Sequence, residues 1–133
     1  MRAERSDVRV LKAQLDLATQ SVRATRVTSP LWALAVALLC SGTLGIFGNS
    51  ALADTLYLPL IVAAAVVMAA ATTAVYQKET ARNPDCNLAL WYRRHCAMQL
   101  AVSAAWGTMP WLLWDAGNPV NHIFLAAGSV AVV

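Results

Sequence analysis

Two stretches of this chain, residues 30–48 (PLWALAVALLCSGTLGIFG) and 55–76 (TLYLPLIVAAAVVMAAATTAVY), contain no charged side chain. At about 1.5 Å of rise per residue, each reaches as a helix across a hydrocarbon layer of about 30 Å. A third stretch, residues 96–114 (CAMQLAVSAAWGTMPWLLW), has Gln99 and scattered hydroxyls as its only polar content and spans equally well. A fourth, residues 120–133 (VNHIFLAAGSVAVV), stays apolar up to the last residue. From Ile123 onward it makes only about 16 Å of helix, and a free carboxylate at mid-bilayer depth is unfavourable. The expected fold class is therefore all-α. It is a membrane helical bundle of three full transmembrane helices plus a truncated fourth, in a chain that is the N-terminal piece of a longer protein.

Composition agrees with a lipid environment. Hydrophobic residues make up 59% of the 133 positions and charged residues 13%, and the mean hydropathy is +0.54. A soluble domain this small would leave much of that apolar surface facing water. Disorder is excluded by the same surplus. Nucleic acid is not an expected partner, because the net charge is only +3 and the basic residues form no single basic face.

The charges are sorted along the chain. Arg2, Arg5, Arg9, Lys12, Arg23 and Arg26 in the leader, with Lys78, Arg82, Arg93 and Arg94 between the second and third stretches, account for all ten Lys and Arg. The other two links, GNSALAD and DAGNPVNH, carry only Asp54 and Asp115. Basic residues stay on the cytoplasmic side, so the expected topology is a multi-pass membrane protein with a cytoplasmic N-terminus. Trp32, Tyr76, Trp91 and Tyr92 then fall at the inner headgroup level, and Tyr57, Trp111 and Trp114 at the outer one, where such rings concentrate. Ser29 and Pro30 suit a helix start at the first span, and Pro110 after Gly107 predicts a bend in the third. Ala51-Leu52-Ala53 resembles a signal-peptidase site, but the long leader and long apolar run favour an uncleaved anchor.

Residues 1–29 form a basic leader. Val8, Leu11, Leu15, Ala18 and Val22 recur at helical spacing, with Arg5, Arg9, Lys12 and Arg23 on a neighbouring arc. Such a helix lies on the inner leaflet with its arginines on lipid phosphates, or pairs with a second copy in a homodimer. Surface binding is the preferred reading, with Arg93 and Arg94 adding further phosphate contacts. A solvated basic segment that only sets topology is the plainer alternative.

Catalytic chemistry is sparse. Cys40, Cys86 and Cys96 form no metal-ligand spacing; Cys40 falls inside an apolar run, and Cys86 and Cys96 are expected on the reducing side, where thiols stay free. His95 and Cys96 are adjacent, so their side chains diverge by about 100° on a helix, and no metal or other cofactor is expected. No charged residue lies within a span, which argues against an ion or proton pathway. The segment is therefore not expected to be an enzyme. The concentrated feature is residues 106–122. Trp106, Met109, Pro110, Trp111 and Trp114, rimmed by Asp115, Asn118, Asn121 and His122, make a candidate sensing pocket for a small amphipathic ligand. An aromatic belt with one packing tryptophan is the bland reading of the same residues, and it is favoured. Gly42, Gly45 and Gly48 in the first span, and small residues in the second and third, are expected to permit close helix packing.

Taken in order, the basic leader, short outer links, WYRR boundary, AWG…PWLLW third helix and NPVNHIFLAAG lead-in to the fourth resemble the N-terminal membrane regions of bacterial sensory proteins. Such regions precede cytoplasmic histidine kinase modules or, in related architectures, GGDEF and EAL cyclic-di-GMP modules. The resemblance covers roughly residues 5–133 and brings no catalytic residue with it. It implies a membrane-embedded sensory and anchoring module of a sensor histidine kinase whose effector lies outside this chain. The alternatives are the same module on a diguanylate cyclase or phosphodiesterase, or a small structural membrane protein.

Overall fold

The computed structural model describes the backbone of residues 2–83 and 86–132 and the side chains of residues 7–83 and 86–130. The described chain is all-helical, with α1 (Arg2–Cys40), the single turn α2 (Leu52–Thr55), α3 (Tyr57–Arg82), α4 (Leu88–Gly107), the single turn α5 (Met109–Leu112) and α6 (Pro119–Val132). Helices α1, α3 and α4 pack side by side, and α5 and α6 close one end. Leu15 meets Tyr76 and Trp91 at one end of the bundle. Ala33 and Cys40 meet Leu58, Val62, Ala105 and Met109 toward the other. These pairings make α3 antiparallel to both α1 and α4, which run parallel to each other.

Among the described residues one helix, Leu52–Arg82, is long and apolar enough by length and composition to cross a membrane. Two of the other apolar stretches are broken. The first becomes a loop after Cys40, where Gly45 takes φ 61°, a conformation open chiefly to glycine. Residues 41–50 fold back, with Gly42 N–H donating to the Ser50 carbonyl at 2.9 Å and Phe47 N–H to that of Leu39 at 3.0 Å. A Cβ on Gly48 would lie 2.5 Å from the Cys40 carbonyl oxygen, so the loop seats directly on the helix end. These glycines thus shape a cap and not a helix–helix contact. The third stretch is split at Thr108, between α4 and α5, beside Pro110.

At the N-terminal end the difference is the opposite one. The leader and the first apolar stretch, expected to meet at a Ser29 cap, form one helix of 39 residues with Pro30 inside it. An interior proline costs about 3 kcal/mol or more. Leu15 before Pro30 and Ala33, Ala37 and Cys40 after it are all fully buried, and a break would separate these contacts. The leader stripe from Leu11 onward therefore packs inside the bundle: Leu15 is buried and Leu11, Ala18 and Val22 are half-buried, while Val8 stays exposed. Tyr76 and Trp91, expected at the headgroup level, are core residues at 2% exposure, their ring centroids 5.6 Å apart.

This inner layer sets a stability test. Leu15→Ala should lower unfolding free energy by about 2–5 kcal/mol, whereas Leu17→Ala should change it by no more than about 0.5 kcal/mol. Denaturant unfolding in detergent micelles, followed by tryptophan fluorescence, measures both.

Candidate functional site

The link between α5 and α6 is built around Asn121, a fully buried polar residue. Asn118 starts α6 by accepting from Val120 N–H at 3.0 Å and Asn121 N–H at 3.2 Å, the N-cap arrangement that asparagine favours. This aims the Asn121 amide back into the link. Its Oδ1 accepts from Asp115 N–H at 3.0 Å, and its Nδ2 donates to the Leu113 carbonyl at 3.0 Å and toward Cys40 Sγ at 3.9 Å. One side chain thus joins the end of α1 to the α5–α6 link, with its polar atoms satisfied as burial demands.

Asp115 extends the hub to the other loop. Its carboxylate accepts from Gly117 N–H at 3.2 Å and from Asn49 N–H at 3.3 Å. His122 Nε2 lies 2.9 Å from the Asp115 carbonyl. A carbonyl only accepts, so this nitrogen carries the proton. The imidazole stacks on Trp114 with ring centroids 3.8 Å apart and planes 9° from parallel. Phe47 stacks on Phe124 in the same manner at 4.3 Å. These contacts stitch two loops together and leave no activated nucleophile among them.

Of the residues anticipated as a sensing pocket, the structure brings Trp114, Asp115, Asn118, Asn121 and His122 together and places Trp106, Met109, Pro110 and Trp111 elsewhere. Met109 is 2% exposed in the apolar core. Trp106 packs against that core and its indole N–H donates to Ser29 Oγ of α1 at 3.1 Å. Pro110 lies in the single turn α5, and Trp111 is 89% exposed. Helical rotation explains the dispersal, since successive residues on a helix diverge by about 100°.

No protein-family model, curated protein or solved structure matches the chain.

The anticipated phosphate contacts also sort. Arg9, Lys12 and Arg93 are exposed, while Arg5 lies outside the residues with described side chains. Arg23 donates to Gln77 Oε1 of α3 at 2.8 Å, and the Arg94 guanidinium sits 4.7 Å from the centroid of the Trp91 ring, a cation–π distance. Both still project at the surface. The three cysteines are free thiols. Among the described residues no group of three or more His, Cys, Asp or Glu could hold a metal ion.

Sequence reasoning gave His95 no role. It is 8% exposed, with Nδ1 3.0 Å from the Trp91 carbonyl and its ring 5.4 Å from that of Tyr76. Its burial depends on α1 covering it, and nothing in the sequence around His95 signals that cover. Asn121 was legible as a polar residue beside the link but not as its buried centre.

Asn121→Ala should destabilise the fold by roughly 2–4 kcal/mol, because it strands the Asp115 N–H and the Leu113 carbonyl together. Trp111→Ala should stay within about 0.5 kcal/mol of wild type. Limited proteolysis of the 113–118 link and thermal melting in micelles separate the two outcomes.

Proposed function

We propose that this chain is a multi-pass membrane module that anchors a cytoplasmic effector and transmits a membrane-level signal to it, as in a bacterial sensor histidine kinase. The observation that carries this reading is α1. One helix begins in the basic leader, passes the Leu15 layer and ends at Cys40 against Asn121. A displacement at the hub is thereby coupled through a rigid rod to the N-terminal end. The segment itself has no catalytic role in this scheme.

The membrane part of the proposal rests on where large apolar side chains point. Leu31 and Trp32 on α1, Leu60 and Val67 on α3, Leu100 on α4 and Ile123 on α6 all face outward, at 58–71% exposure. Four helices thus share an apolar exterior, which water would penalise and lipid would accept. Since α1 and α4 pack along α3, a bilayer crossed by α3 would also enclose them. In this scheme α1, α3 and α4–α5 cross the inner membrane from a cytoplasmic N-terminus, and α6 returns. The lipid bilayer is then the first partner. A homodimer is the second: the inward stripe of α1 is used within the chain, but Val10, Leu17 and Val27 remain on its outward side at 54–65% exposure.

Two experiments test these readings separately. On intact spheroplasts of a cysteine-free background, a membrane-impermeant maleimide should label Ala116→Cys and leave Lys78→Cys unlabelled until the cells are lysed. Equal labelling of both before lysis rejects the topology. The coding sequence read past Val133 should encode a histidine kinase dimerisation and ATP-binding module. A GGDEF or EAL module supports the cyclic-di-GMP alternative, and an immediate stop codon supports the small structural protein.

A further inference from the structure

Helix α1 carries a second apolar stripe, on the side turned away from the bundle. Val10, Leu17, Ala24 and Leu31, seven residues apart, alternate with Ala13, Gln20, Val27 and Leu34, and every one of these side chains is exposed. The inward side of the same helix, marked by Leu15, Thr19, Ala33, Ala37 and Cys40, is buried. It packs against α3 and α4, with a cleft parting residues 14–22 from α4 along one edge. A strict seven-residue repeat drifts by about 20° per heptad on a straight helix, which traces the left-handed seam of a coiled coil.

Lipid does not account for this face. With 39 residues, α1 is about 58 Å long at about 1.5 Å per residue, whereas a hydrocarbon layer is about 30 Å thick. Its first half carries Asp7, Arg9, Lys12, Asp16, Arg23 and Arg26, all exposed. That half therefore lies beyond the hydrocarbon, and in a lone chain Val10 and Leu17 face water. Because α1 runs unbroken through Pro30, one rod cannot both cross a membrane and lie flat on its surface.

We propose that this stripe is the seam of a homodimer in which two α1 helices pack parallel and in register, Gln20 of one beside Gln20 of the other. This deepens the homodimer reading given above and rests on it. Charge and polarity select the direction. In the parallel pair the residues flanking the seam meet as Arg9 with Gln14, Asp16 with Ser21 and Arg23 with Thr28, so no like charges face each other. The antiparallel pair that keeps the whole stripe overlapped sets Arg23 against Arg23 and Gln20 against Ala24. An amide both donates and accepts, so two opposed Gln20 side chains satisfy one another. One polar residue in such a seam fixes register and the number of helices. Two copies inserted the same way into one membrane also present α1 in parallel.

The test uses the full chain in isolated membranes, with single cysteines on a cysteine-free background and copper–phenanthroline as oxidant. Leu17→Cys, Ala24→Cys and Leu31→Cys should each give disulfide-linked dimer. Lys12→Cys, off the seam, and Val67→Cys, on the exposed face of α3, should give little. In differently tagged, co-expressed chains, Gln20→Leu should let Leu17→Cys link to Ala24→Cys, one heptad out of register. With Gln20 present that pair should stay unlinked, and its linkage overturns the in-register pairing. In micelles, Ala24→Arg opposes two guanidinium groups in the seam and should weaken the dimer roughly tenfold or more by sedimentation equilibrium. Where the chain is dilute enough to be monomeric, seam variants should keep wild-type stability, because the stripe lies outside the core. Linkage of Leu17→Cys to Val27→Cys, in place of Leu17→Cys to itself, shows an antiparallel pair and overturns the proposal. A dimer that Ala24→Arg leaves intact and no seam cysteine links also overturns it, while keeping the homodimer on another face. A monomer throughout removes the homodimer reading as well.

Discussion

Burial on both sides of Pro30 is the interaction on which the rest of this fold depends. Taken alone, Ser29-Pro30 favours a new helix start, and the basic residues before it favour a separate surface element. Both preferences yield because Leu15 and the Ala33–Cys40 face need the same neighbour, α3, and only a continuous α1 presents them to it together. Once α1 is continuous, α3 and α4 are positioned along its length and the leader becomes one wall of the bundle.

The far end is organised by polar contacts. The apolar segment after Cys40 turns back at its glycines and sits on the helix end, and the α5–α6 link folds over it. Asn121 satisfies donors and acceptors that this closure would otherwise strand. Asp115 joins the two loops through backbone N–H groups, and the Trp114–His122 and Phe47–Phe124 stacks cover the joint. Removing the Asn121 amide or the Asp115 carboxylate strands backbone groups that the ring stacks cannot satisfy.

Much of this was legible in the sequence, and the parts that were not share a cause. Uninterrupted apolar runs mark the helical regions, the run from Val120 marks α6 to within a residue of its start, and Gly107 with Pro110 marks the break after α4. Trp114, Asp115 and His122 were foreseen as neighbours because they flank one short link. The end of the first helix was missed because hydropathy does not distinguish an apolar helix from an apolar loop. The destinations of Trp106, Met109 and Trp111 depend on rotation about a helix axis, which only the packing partner fixes. The same holds for Trp91 and Tyr76: an amphipathic ring near a predicted membrane edge suits a headgroup belt or a core, and the leader's cover over them decides between the two.

The Trp106–Ser29 hydrogen bond acquires a mechanical meaning from the parallel course of α1 and α4. These helices are pinned together at that level and parted further back, where the cleft separates residues 14–22 from residues 92–99. They behave as the arms of a pair of tongs whose rivet is a single indole N–H. Widening the jaws splays the arms about the rivet without sliding them, whereas turning α1 about its own axis would withdraw Ser29 from the indole. This hydrogen bond therefore opposes rotation of α1 about its axis more than it opposes tilt.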